Sequence, residues 1–161
     1  MKLLLFSAVL LSGLVSGLFY SYSCSVNTGL RSLSDSEYVK AMQSINVAIQ
    51  NPWFFISFMG LLLIYPVSLY RLYQQPVDIS FYCLLAATVI YFLGVFGVTI
   101  FFNVPLNEQL AKFPVTTASP GEITSMRKIF EAPWNNYHTV RMLASILSFA
   151  LSILSILKQK I

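Results

Sequence analysis

The chain has 161 residues, of which 57% are hydrophobic and 10% charged, and its mean hydropathy is +0.71; soluble domains carry about 25% charged residues, so a water-soluble globule is excluded. The length leaves room for a single domain, 1–161, built on its apolar segments. The net charge of +4 comes from basic residues scattered without a stripe, so it carries no nucleic-acid signal.

The first apolar stretch runs from Leu3 to Val26. Lys2 and the small residues Ser12, Gly13, Ser16 and Gly17 give it some likeness to a signal peptide, but the apolar run continues through Leu18, Phe19 and Tyr20. It exceeds the ~7–15 residues of a signal core and reads as a retained span. Ser34 and Glu37 then form a capping-box pattern. It opens a short amphipathic helix with Tyr38, Met42, Ile45 and Ile49 on one face. That helix is expected to lie along the membrane surface over the mouth of the bundle. Asn51-Pro52 ends it, and Trp53 anchors the second span, Trp53 to Tyr73, at the interface. A polar turn, Gln74 to Asp78, leads to the third span, Ile79 to Phe102. A long connection from Asn103 to His138 follows, with a Pro/Gly/Ser/Thr-rich middle (Pro114 to Gly121) between two helix-like pieces. The fourth span is Thr139 to Leu157. Each stretch is close to the roughly 20 residues needed to cross the hydrocarbon core. The fold class is therefore all-α: a four-helix transmembrane bundle, up-down-up-down, with a short amphipathic helix between spans 1 and 2.

Small residues mark the expected packing faces: Gly13 and Gly17 in the first span, Gly94 and Gly97 in the third, and Ser145, Ser148, Ser152 and Ser155 in the fourth. Cys24 and Cys83 fall at opposite membrane faces and are expected to be free packing thiols. Lys2, Arg71, Lys158 and Lys160 lie on one side, while Arg31, Lys40, Lys112, Arg127 and Lys128 lie on the other. The positive-inside count is nearly tied, and both termini are placed in the cytoplasm.

The polar residues able to do chemistry gather at one end of the spans: Asn27, Asn51, Asn103, Asn107, Trp134, Asn135, His138 and Arg141. On the first helix, Gly17, Tyr20, Cys24 and Asn27 follow helical spacing toward that mouth; on the third, Thr99, Asn103 and Asn107 recur every four residues, with Pro105 capping, kinking or restarting the helix. Trp134, His138, Arg141 and Ser145 share a face of the fourth. Arg141 falls about one turn inside the membrane boundary, with no acid on its helix below it. A charge at that depth is costly unless paired or hydrated, so it reads as functional, with snorkelling to the headgroups as the plain alternative. His138 is the only histidine; it suits a general base, although a lone histidine is more often structural. A multi-histidine metal site has no ligands here, and no cofactor is predicted, while a haem on one axial histidine stays open.

Five segments together carry a resemblance: Gly17 to Tyr20, Asn46 to Trp53, Gly94 to Thr99, Asn103-Val-Pro-Leu-Asn107, and Trp134-Asn-Asn-Tyr-His-Thr-Val-Arg141. In this order they resemble the anthrone-oxygenase-like family of small four-span membrane proteins, most of whose members lack an assigned function. The chain departs from many members after its first span, where Val26-Asn27-Thr28-Gly29 stands in place of a proline-containing segment. The resemblance implies oxidation of a flat aromatic anthrone by O2, apparently without a metal. It further implies His138 and Arg141 as catalytic residues, with His138 taking the proton and Arg141, Asn103 and Asn107 holding the oxyanion. Trp134 would stack on the substrate, with Asn135, Asn51 and Tyr20 completing the substrate-binding set. Membrane lipid, a small aromatic substrate and O2 are then the expected partners. The alternative is a non-enzymatic bundle that binds lipid, haem or a membrane partner.

Overall fold

Five helices follow from the apolar runs and their caps in the computed structural model, which describes residues 2–159. Lys160, counted above among the charges of one face, lies outside them. The helices are α1 (Lys2–Arg31), α2 (Asp35–Ala48), α3 (Pro52–Tyr73), α4 (Ile79–Ala111) and α5 (Pro120–Lys158). All but α2 are long and apolar enough to cross a membrane, which makes the chain a multi-pass membrane protein.

Each start has a local cause. Ser34 and Glu37 cap α2 reciprocally, as the sequence predicts, and Ser119 and Glu122 do the same for α5. The Asn51 side chain accepts from the Phe54 N–H at 3.1 Å, with Pro52 in the first turn where its missing N–H costs nothing. Asp78 accepts from the Ser80 N–H at 2.9 Å at the start of α4.

Three of the expected span boundaries fall short of the helices that contain them. α1 continues past Val26 to Arg31, α4 past Phe102 to Ala111, and α5 begins at Pro120, well before Thr139. Most of the long connection is thus helical, and only 112–119 is not. Hydropathy loses these extensions because they are amphipathic: polar toward water, apolar toward one another. Leu30, Tyr38, Val39, Met42, Leu110, Ile123, Phe130 and Trp134 form a second buried cluster between α2 and the extended helices. Gln43 on α2 donates from Nε2 to the carbonyls of Leu110 (2.8 Å) and Phe113 (2.9 Å), satisfying acceptors at the end of α4. Arg127 on α5 binds Asp35 (3.0 Å), Glu131 (2.7 Å) and the Leu33 carbonyl (2.8 Å), and its guanidinium lies 4.4 Å from the centre of the Tyr38 ring. The Thr124 hydroxyl also donates to Asp35. This donor and the Arg127 guanidinium hold the Asp35 carboxyl below its usual range, and Ser34 does the same for Glu37. The amphipathic helix is therefore docked as part of a cap on the extended helices.

Within the spans the contacts run in ladders. Ser80 meets Ser155, Ala87 meets Ser148, and Thr99 meets Arg141, so α4 and α5 are antiparallel. Gly13 lies against Phe149 and Phe19 against His138, which sets α1 antiparallel to α5. Phe58 packs on Phe96 and Tyr73 on Phe81, which does the same for α3 and α4.

The serine stripe is a packing seam with hydrogen bonds across it. Ser148 donates to the Ala87 carbonyl (2.9 Å), Ser155 to the Ser80 carbonyl (2.8 Å), and the buried Tyr65 hydroxyl contacts both Ser148 (3.0 Å) and Ser152 (2.9 Å). Such interhelical bonds replace the hydrophobic drive that lipid removes.

On α1 the buried face differs from the expected one. Leu5, Ala8, Ser12, Val15, Ser16 and Phe19 point inward, whereas Tyr20 and Cys24 are exposed. A Cβ on Gly17 would meet nothing within 4 Å. Ser12 and Ser16 join Gly13 as the small residues at this interface, while Gly17 does not contribute, and of the two cysteines only Cys83 is partly packed.

Candidate functional site

Exposed aromatic residues mark the membrane levels: Trp53, Phe101 and Phe102 at one end, Tyr70, Tyr73 and Tyr82 at the other. From Trp53 to Tyr73 a helix rises about 30 Å, one hydrocarbon thickness. Arg141 is level with Thr99 through its hydrogen bond, inside the belt formed by Phe102 stacked on Tyr137. The charge is therefore placed within the apolar layer and is 7% exposed, which rules out snorkelling to the headgroups.

Two helices depart from α geometry here. α1 contains a π-helical turn at Tyr22–Val26, and α4 contains two, at Tyr91–Gly97 and Thr99–Asn103. Wide turns of this kind are common at functional sites because they rotate side chains out of the regular register. The second turn of α4 also accommodates Pro105. An α-helical segment restarts at Val104, so the proline falls in a first turn, where it lacks no needed bond.

The side chains converge on His138. Its Nδ1 lies 3.1 Å from Arg141 Nη2, and its Nε2 lies 3.2 Å from the Phe19 carbonyl and 3.0 Å from Ser23 Oγ. Trp134 stacks on the imidazole at 5.1 Å between centroids and 10° between planes, and Tyr22 packs against both rings. Arg141 Nη1 donates to Thr99 Oγ1 at 3.3 Å, and the guanidinium lies 4.9 Å from the Phe19 ring centre and 5.4 Å from that of Trp134. Its Nε has no partner. Among the described residues the ion pairs are those of Arg127, and no carboxylate meets Arg141. The cation is held by one neutral hydroxyl oxygen, one imidazole nitrogen and aromatic faces, with its charge uncompensated.

Asn103 and Asn107 both reach Trp134. Asn103 Nδ2 donates to the Trp134 carbonyl (3.3 Å), and Asn107 Oδ1 accepts from the indole Nε1 (2.7 Å). The spacing of four thus clamps the tryptophan from its backbone and its ring. Asn103 is fully buried and its Oδ1 has no partner. Two buried side-chain atoms of this site lack partners, a donor on α5 and an acceptor on α4, an imbalance that native interiors seldom leave without a reason.

His138, Arg141, Trp134, Asn103 and Asn107 are therefore brought together. Three other expected site residues are not. Tyr20 is 57% exposed on the outer face of α1, and its place is taken by Phe19, Tyr22 and Ser23. Asn51 is engaged in capping α3 and bonds the carbonyls of Ala48 and Ile49. Asn135, next to Trp134 on the helix, makes no side-chain hydrogen bond to this cluster, and its buried Oδ1 is unpartnered. Asn27 is half-buried on the last turns of α1. The signal for the correct face of α1 was Ser12, Ser16, Phe19 and Ser23, spaced four, three and four apart and ending in the residue that touches the histidine.

Fold and site together define a multi-pass four-helix membrane protein with a histidine–arginine pair sealed in its apolar layer. The chain belongs to the anthrone oxygenase family: the family described as Anthrone oxygenase matches residues 53–151, more than half of the sequence. The match includes Asn103, Asn107, Trp134, His138 and Arg141 but not α1, which supplies Phe19, Tyr22 and Ser23. No curated protein and no solved structure matches the chain.

Proposed function

We propose that the chain is a membrane-embedded oxygenase that converts a flat aromatic anthrone, reached from the lipid, to the quinone with O2. One observation carries this reading: Arg141 is buried without a carboxylate, keeps an unused Nε–H, and is bonded to an imidazole that can take a proton. A buried cation in that state suits an anion that forms during turnover, because preorganised donors act most strongly where water is absent.

In this reading His138 removes a proton from the anthrone CH2, and Arg141 stabilises the oxyanion left on the carbonyl oxygen. The carbanion gives one electron to O2, and the radical pair combines to a hydroperoxide at that carbon, the proton returning to the peroxide. Loss of the second C–H proton with cleavage of the O–O bond leaves the new carbonyl and releases water. Trp134, clamped by Asn103 and Asn107, is stacked on the His138 ring and so holds the base in position. The asparagines thereby act on the base through the tryptophan, since their observed bonds already go to it.

The test is oxygen consumption by the detergent-purified protein titrated with anthrone under air, beside its absorption spectrum. Wild type should consume one O2 per quinone formed, and His138→Ala should slow kcat by about 10²–10⁴-fold, the usual contribution of a general base. Full activity in His138→Ala refutes the assignment of the base. A Soret band that disappears in that variant replaces the reading with a haem protein, and a colourless protein inert toward anthrone refutes the substrate class.

A further inference from the structure

The protonation of His138 can be deduced from its partners. Every hydrogen-bonding atom of an arginine side chain is a donor, so the 3.1 Å contact requires Nδ1 to accept from Arg141. A backbone carbonyl can only accept, so the 3.2 Å contact with Phe19 requires Nε2 to carry the proton, with Ser23 Oγ beside it as a second acceptor. A doubly protonated ring would set N–H against N–H at Nδ1 beside an uncompensated guanidinium. The imidazole is therefore neutral, with its proton toward α1 and its one basic lone pair toward Arg141.

This arrangement has a cost for any base chemistry, because the lone pair that must take a proton is already occupied. Arg141 is well suited to give it up: its second bond, to Thr99, is a long 3.3 Å, and its Nε is unused. We propose that Arg141 is a gate on His138, capping the basic nitrogen in the resting site and uncovering it only when a ligand oxygen draws the guanidinium away. Ser23 and the Phe19 carbonyl are the positioning groups that fix which nitrogen is gated. Oxygen recognition then precedes proton abstraction, and a flat molecule with an activated CH2 but no oxygen acceptor leaves the base covered. As a statement about the resting site this rests on geometry alone; as a statement about turnover it rests on the oxygenase reading above.

Because the chain has a single histidine, histidine labelled with 15N on the ring reports on this one site. The resting protein in detergent should show a pyrrole-type Nε2 and a hydrogen-bonded, pyridine-type Nδ1. Anthraquinone, which has the carbonyl oxygen but no CH2 to react, should move Nδ1 toward the value of a free lone pair. Dihydroanthracene, with the same three-ring skeleton but no oxygen, should leave it in place. Arg141→Ala should show the uncovered Nδ1 signal without any probe, and Arg141→Lys provides a charged variant should the alanine fail to fold. Ser23→Ala should weaken the Nε2 bond and, if turnover is measurable, lower kcat more than it changes KM. A proton on Nδ1, a doubly protonated ring, an equal response to both probes, or no response to saturating anthraquinone each overturns the gate. A response to anthraquinone in a protein that consumes no O2 with anthrone leaves the gate standing and removes the oxygenase reading instead.

Discussion

Gly94 allows a close approach between α4 and α5, and substituting it tests whether that approach holds the site in place. A Cβ built at Gly94 falls 2.7 Å from the Cβ of Ala144. Carbon atoms in contact prefer about 3.5–4.0 Å, so Gly94→Ala forces the two backbones apart by about 1 Å. Neither atom belongs to a flexible side chain that could turn aside. Overpacking of this kind costs about 1–3 kcal/mol, and the opening is one turn from the Thr99–Arg141 contact at 3.3 Å, which has no slack to lose. Equilibrium unfolding in mixed micelles should show this loss for Gly94→Ala, and adding Ala144→Gly should recover most of it, a coupling that a double-mutant cycle isolates. Gly17→Ala is the control, since its Cβ would meet nothing within 4 Å; it should be neutral or slightly stabilising. A Gly94→Ala protein as stable as wild type, or a swap that recovers nothing, would refute the close approach.

Tyr65→Phe removes the hydroxyl that bridges Ser148 and Ser152 while keeping the ring, and should lower stability by about 1 kcal/mol in the same assay, the range measured for interhelical side-chain bonds in membranes; an unchanged value would show that the bridge adds nothing. Arg127→Gln breaks the links to Asp35, Glu131 and the Leu33 carbonyl and should free α2 by about 2 kcal/mol, seen as faster amide exchange in 35–48 with α3 unchanged; loss of protection throughout the bundle would instead make the cap integral to the fold. Asp35 and Glu37 titrate below their ordinary range, so their contribution to the cap is complete above that range and is lost as pH falls through the depressed values. Pepsin should accordingly cut around α2 faster at about pH 2 than at about pH 4 relative to its own pH profile; equal relative rates would show that these carboxylates do not tether it.

Much of the fold was legible because a bilayer imposes long apolar runs, and α3 begins within one residue of the expected Trp53 because Asn51-Pro52 states a cap and a first turn. The extensions of α1, α4 and α5 were not legible from hydropathy, since they bury a narrow face against α2 and keep the rest polar. A capping box at Ser119 and Glu122 marks the true start of α5 in the sequence, and the helix runs on through Pro133. At the site, the face shared by Trp134, His138 and Arg141 follows from spacing in a regular helix. The contribution of α1 was obscured because the polar-looking residues Tyr20 and Cys24 are exposed, while the buried face of Ser12, Ser16 and Phe19 continues to Ser23 in a wide turn. Asn103 and Asn107 were recognisable as a pair, yet only the packed structure shows that both are spent on Trp134.

α5 contains 39 residues, about 58 Å of helix at 1.5 Å per residue, nearly twice the thickness of a hydrocarbon core. The rod that carries His138 and Arg141 is thus the same rod that holds the cap through Arg127 and Phe130. Inside it, Pro133 lacks a backbone N–H, which makes the turn before Trp134 the joint where the rod bends most easily. A binder raised against the cap would grip one arm of a lever whose fulcrum stands beside the histidine, offering a handle for imaging so small a membrane protein and a means of pressing on its site from the water.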